Sequence, residues 1–177
     1  MSILVIFAPH CAGNHLANMI GASNNLDNCL SLQELEVAYQ NDDDPEYTHI
    51  SEDSFFISLQ DAFNYNSIYI GHLDEVWDLY DRLEDTITDV LVVELNDKAL
   101  STIRSRYEIS HLESFAYTKK FIKKLFPTWN VEAIHVNDLL SYNGDTLKFI
   151  LESNNFTINN RCAKLHDMWL EKIKDNI

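Results

Sequence analysis

Four short runs of branched apolar residues punctuate this chain, and they restrict its fold more than any other feature. They are "ILVIFA" (3–8), "SIYIG" (67–71), "DVLVVEL" (89–95) and "VEAIHV" (131–136). Each has the length and the Val, Ile and Leu content of a buried strand. Their apolar character is nearly continuous instead of alternating, so both faces need cover, which predicts a parallel sheet. Helical periodicity marks the segments between and after them: 14–22, 54–65, 74–84, 97–107, 110–126, 138–153 and 160–175. In 74–84, Val76, Leu79, Tyr80 and Leu83 share one face, and Asp74, Glu75 and Asp78 sit in the first turns, where the helix dipole favours acids. Strand alternating with helix predicts an α/β three-layer fold, with four or five parallel strands and helices on both faces. The stretch 40–53, "QNDDDPEYTHISED", reads as a polar surface loop or insertion.

The 177 residues suit one compact domain spanning 1–177. A hydrophobic content of 46% with only four Gly and three Pro argues for a regular globular chain. The N-terminal "SILVIFA" lacks a basic flank and a cleavage site and is too short to span a bilayer, so a cytoplasmic location is expected. Cys11, Cys29 and Cys162 are odd in number and have no CxxC spacing, which predicts reduced thiols and no cysteine zinc site.

Charge is distributed unevenly. The net value is −15, which disfavours nucleic acid and anionic membranes as partners. Residues 1–97 hold 19 acids and a single cation, Arg82, whereas 98–177 hold 12 cations and 9 acids. An anionic ligand must therefore find its positive partners in the second half, or use backbone amides and histidines.

The stretch "FAPHCAGNHLANMI" (7–20) joins the first strand to the first helix and admits three chemical readings. A cysteine phosphatase loop built on Cys11 needs an Arg six positions on to clamp the phosphoryl oxygens, and Ala17 stands there. Zinc bound by His10, Cys11 and His15 would have an unusual ligand spacing and an incomplete set. The third reading is a phosphate loop, in which backbone N–H groups at the start of a helix point at whatever lies above the strand's carboxyl end. Against the pattern G-x-x-x-x-G-K-[ST], residues 8–15 lack the lysine and the magnesium-binding hydroxyl. A magnesium-dependent kinase or ATPase is thereby disfavoured, and a cradle for a phosphate that is not itself hydrolysed is favoured.

In this loop and three later segments the chain resembles the sulfotransferase family, whose loop typically reads P-[KR]-S-G-T-[TNH]-[WH]-L. Gly13 matches its glycine, Asn14 and His15 replace the hydroxyl-bearing pair, and the family's basic loop residue falls on His10 or Cys11. "SIYIGHLDE" is similar to the motif K-[TS]-H-L, with His72 and Leu73 matching and Ile70 at the lysine position. "VVELNDKALS" resembles R-[DN]-P-[KR]-D-x-x-x-S, with Asp97 and Ser101 matching and Val93 at the arginine position. Asp138 and Leu139 match the later E-D-L segment.

The resemblance implies a phosphate-loop fold of strand order 2-3-1-4 and a sulfotransferase that moves a sulfuryl group from 3′-phosphoadenosine 5′-phosphosulfate to a hydroxylated acceptor, without a metal. His72 would be the general base, with His10 assisting. Cys11, Ala12, Gly13, Asn14, His15 and Ser101 would bind the donor, and Arg104 and Arg106 would replace the missing cations. The alternative is a catalytically degenerate module that binds a nucleotide or a protein partner. Plainer roles also exist for these residues: His72 as a strand-end histidine tied to Asp74 or Glu75, His15 bonded to Asn18 or the loop, Ser101 bonded to a helix carbonyl, and Trp77, Trp129 and Trp169 as packing.

Overall fold

A computed structural model describes residues 2–8, 12–27, 29–41, 66–95 and 117–174, without the side chains of Asp78, Leu79, Arg82 and Lys174. The expected helices at 54–65 and 97–107, and the start of that at 110–126, lie outside the described residues, as do His10, Cys11, Ser101, Arg104 and Arg106. The described elements are β1 (Ser2–Ile6), α1 (Gly13–Asn24), α2 (Leu32–Gln40), β2 (Ser67–Gly71), α3 (Leu73–Leu83), β3 (Asp89–Glu94), α4 (Lys119–Leu125), β4 (Asn130–His135), α5 (Val136–Ser141), α6 (Gly144–Ser153) and α7 (Asn160–Lys174).

All four expected strands form, and every pairing is parallel. The α/β sheet thus follows from the apolar runs: β1 is buried along its whole length, and Val90, Leu91, Val92 and Val93 of β3 are fully buried. The less apolar runs, β2 with half-buried Tyr69 and β4 with exposed Asn130 and His135, take the edges.

The strand order corrects the expectation. It is β2-β1-β3-β4, not 2-3-1-4, so β2 lies beside β1. Polar ties, which apolar content does not reveal, hold it there. Asp27 N–H donates to the Asn66 carbonyl at 2.9 Å, and Asn66 Nδ2 reaches the Asn25 carbonyl at 3.3 Å, so the turn after α1 grips the start of β2. At its other end, Phe7 N–H donates to the Gly71 carbonyl at 3.3 Å. Thr88 is bound to the Ser2 carbonyl through both its N–H and its hydroxyl, which brings the start of β3 to the opposite side of β1.

This order places the reversal of chain direction between β1 and β3, the position at which open α/β sheets form a ligand crevice beyond the strands' carboxyl ends. Right-handed crossovers put α1 on one face and α3 and α4 on the other. On the first face α1 packs with α2 and α7, and α7 packs with α6. On the second, Tyr80 of α3 stacks on Phe126 at 4.6 Å and meets the edge of Trp129 at 5.2 Å.

Three segments depart from the periodicity reading. The helix expected over 110–126 begins, among the described residues, at Lys119, because Thr118 is extended and its hydroxyl accepts the Phe121 N–H at 3.2 Å. The segment 138–153 is two helices, α5 and α6, because Asn143 caps a new helix start: its Oδ1 accepts the Thr146 N–H at 2.9 Å. Helix α2 was not anticipated, although Ser31 and Glu34 make a reciprocal capping box at its start. Among the described residues no helix is long and apolar enough to cross a membrane.

Candidate functional site at the carboxyl edge of the sheet

The polypeptide leaves β1 through Phe7 and Ala8, both buried, and enters α1 at Gly13. Ala12, which precedes the helix, has a left-handed backbone with φ of 60° and ψ of 23°. A residue with a Cβ occupies this region at a cost of about 1–2 kcal/mol, so the surrounding packing must impose it. Gly13 is needed for a different reason. A Cβ there would lie 2.1 Å from Cδ1 of the buried Phe7 ring.

The first helical bond of α1 runs from Leu16 N–H to the Ala12 carbonyl at 3.1 Å. The N–H groups of Gly13, Asn14 and His15 thus precede the intrahelical ladder, as the first N–H groups of any helix do.

The side chain of His15 does not share that direction. It is 2% exposed, both ring nitrogens are engaged by Tyr39 and His166, and its ring stacks on Trp169 at 4.0 Å. What His15 presents to the site is its backbone N–H. Its expected alternative partners, Asn18 and the loop, are likewise replaced by residues of α2 and α7. Asn14 is half-buried, and its Oδ1 is buried with no hydrogen-bond partner among the described residues.

His72 follows β2 directly and is the cap residue of α3. Its backbone N–H donates to Glu75 Oε2 at 2.7 Å, so the carboxylate serves the main chain. The ring turns to β1, where Nδ1 lies 2.7 Å from the Phe7 carbonyl, and the Phe7 ring meets the imidazole edge-on at 5.1 Å. A carbonyl only accepts, so Nδ1 carries the proton, and in the neutral ring the lone pair is on Nε2. His72 and the start of α1 are therefore linked through one residue, Phe7, which bonds to the imidazole and fills the space opposite Gly13.

The carboxyl ends of β3 and β4 add groups that motif matching passed over. Glu94 Oε1 accepts the Lys119 N–H at 2.6 Å, and Glu94 Oε2 lies 3.5 Å from Nδ1 of the half-exposed His135. The Tyr117 hydroxyl accepts the Leu73 N–H at 3.3 Å. The signal that could have found Glu94 and His135 is position alone, since each is the last residue of its strand. Of the tryptophans, Trp129 and Trp169 are buried, whereas Trp77 is exposed beside Phe126. Among the described residues no three His, Cys, Asp or Glu side chains are grouped to hold a metal.

The chain matches no protein-family model and no curated protein.

Proposed function

We propose that the carboxyl edge of the sheet binds the phosphate end of a nucleotide, and that the protein is a sulfotransferase of phosphate-loop type using 3′-phosphoadenosine 5′-phosphosulfate and a hydroxylated acceptor. One observation carries this reading: His72 donates from Nδ1 to the Phe7 carbonyl at 2.7 Å, directly beside the strand that feeds the helix start. A histidine held in that tautomer offers Nε2 as a base.

The donor supplies an electrophilic sulfur with a phosphate leaving group. The chain's part is to remove the acceptor's proton at His72 Nε2 and to hold phosphate oxygens on the N–H groups of residues 12–15. Ser101, Arg104, Arg106, His10 and Cys11 complete the proposed site. The same reading puts the protein in the cytoplasm, which suits Cys29 and Cys162 as free thiols.

The second reading is a binding module without turnover. It is favoured by the absence of a described lysine or arginine at the β1–α1 turn and at position 70, where the family has cations.

Thermal melting with adenosine 3′,5′-bisphosphate separates these readings, because a ligand that binds only the folded state raises Tm in excess. The expected result is a rise at millimolar ligand together with turnover on hydroxylated acceptors. His72→Gln should keep the rise and lower kcat by about 10²–10⁴-fold, the usual worth of a general base. A rise without turnover selects the nucleotide-binding module, and no rise at millimolar ligand refutes donor binding.

A further inference from the structure

Three helices meet at a buried polar chain that the site chemistry does not use. His15 Nδ1 in α1 lies 2.6 Å from the Tyr39 hydroxyl of α2, and His15 Nε2 lies 2.8 Å from His166 Nδ1 of α7. His166 Nε2 in turn lies 3.0 Å from the Tyr142 carbonyl, where α5 ends. Trp169 seals one side, its ring 4.0 Å from that of His15 and inclined by 7°.

The far end dictates the direction of every bond. A carbonyl cannot donate, so His166 Nε2 carries the proton and His166 Nδ1 accepts. His15 must then donate from Nε2, and its Nδ1 accepts from the Tyr39 hydroxyl. With both rings neutral, one arrangement of protons satisfies all three bonds. A second proton on His166 would sit on Nδ1 and reverse the chain, His15 accepting at Nε2 and donating from Nδ1 to the Tyr39 oxygen, with the charge left on a largely buried ring. A second proton on His15 would force the Tyr39 hydroxyl to reverse and would leave a cation in the core.

Among the described residues the partners of the His15 ring nitrogens are Tyr39 and His166, and neither is a carboxylate. Helix α1 has no titratable side chain besides His15. From α2, Tyr39 faces the ring, while Glu36 is held by Arg161 of α7. From α7, His166 faces it directly; Asp167 receives the Gly144 N–H at 2.7 Å, and Lys172 donates to the Tyr39 carbonyl. From α6, Lys148 and Glu152 pair with each other. Burial holds His15 well below the ordinary histidine range, and the neighbouring His166 lowers it further. His166 is lowered by burial too, against an opposing pull from the Tyr142 carbonyl and Asp167.

We infer that the Tyr39–His15–His166 chain is an acid-released latch, which when neutral fastens the first turn of α1 to α2 and α7, and when protonated lets that turn loosen before the sheet opens. Folded-state depression of a histidine means that the closed form is favoured fully above the free value of about 6.5 and progressively less below it. Each neutral ring makes opening about tenfold easier per pH unit in that window, and two rings up to about hundredfold. Helix α1 carries the Ala12–His15 turn, so the latch governs the shape of the sheet-edge loop whatever ligand that loop binds.

Two measurements on the full chain test this. At pH 7.5, long-range proton–nitrogen spectra should show His15 and His166 both as Nε2–H tautomers, with His72 as Nδ1–H. Amide exchange, expressed as protection factors, should then fall for Leu16–Ile20 by about ten- to a hundredfold per pH unit below about 6.5, while Val90–Val93 of β3 fall less. His166→Asn keeps an acceptor for His15 and removes one titrating ring, so the slope should shrink to about tenfold. Protection that is flat with pH, or that falls equally in α1 and β3, overturns the latch, as does a different pair of tautomers at His15 and His166. The tautomer test stands even where the variant does not fold. Neither readout involves a nucleotide, so failure of the donor reading leaves the latch intact and the reverse also holds.

Discussion

At the scale of single residues, the β1–α1 turn divides its labour in an unexpected way. The left-handed backbone falls on Ala12, and the neighbouring glycine makes room for a ring. Gly13→Ala would push a methyl group into Phe7, which is 4% exposed and cannot swing out to solvent without opening the core. Overpacking of this kind costs about 1–3 kcal/mol, and urea unfolding should show it as a lower midpoint at unchanged slope. Phe7→Leu in the same background should recover part of the loss, because the two positions share one space. An additive double variant would mean that the ring is not what Gly13 accommodates. His72 could be picked out from its place after a strand, but the partner of its ring could not. Phe7 lies 65 positions away in sequence, and only the pairing of β2 with β1 brings its carbonyl within 2.7 Å.

At the scale of elements, local chemistry and tertiary contact each account for part of the helix pattern. Helix α2 carried a readable start in Ser31 and Glu34, and it was missed because its apolar face is narrow, with only Leu35 and Tyr39 buried. The break between α5 and α6 was readable in Asn143-Gly144, a capping residue followed by the residue least favourable to a helix interior. What was not readable is why Gly144 is a glycine. A Cβ there would lie 1.8 Å from the Ala163 carbonyl of α7, and the Gly144 N–H donates to Asp167. The obstacle is backbone and cannot rotate away, so α6 and α7 would have to separate. Gly144→Ala should therefore destabilise the protein by about 3 kcal/mol, the upper part of the overpacking range. An unchanged melting temperature would show that the two helices do not touch at this point. Asn143, one residue earlier, has no such neighbour limit in view, and its substitution should cost only the cap, about 1 kcal/mol.

At the scale of the whole molecule, the net charge of −15 sets a background of self-repulsion, concentrated in the first 97 residues. Raising ionic strength from about 0.02 to 0.3 M shortens the screening length from over 20 Å to under 6 Å or so. Tm should rise by about 2–4 °C for each kcal/mol of repulsion relieved in a chain of this size. A fall would mean that pairs such as Arg161–Glu36 and Lys119–Glu132 contribute more than the net field costs. The sequence by itself determined the parallel α/β sheet and the four described strands, because covering both faces of a strand demands continuous apolar residues and the chain has four such runs. It also determined that a helix would start beside the end of β1. The order of the strands and the setting of both key histidines were decided by the tertiary structure. Two interior strands of equal apolarity are interchangeable to any periodicity, and ties such as those of Asn66 and Thr88 are what periodicity does not contain. His15 looked like a ligand-facing residue from its place in the first turn, yet Tyr39 and His166, 24 and 151 positions away, draw its ring into the core. A side chain's direction depends on which partners the fold delivers to it, and those partners are distant in sequence.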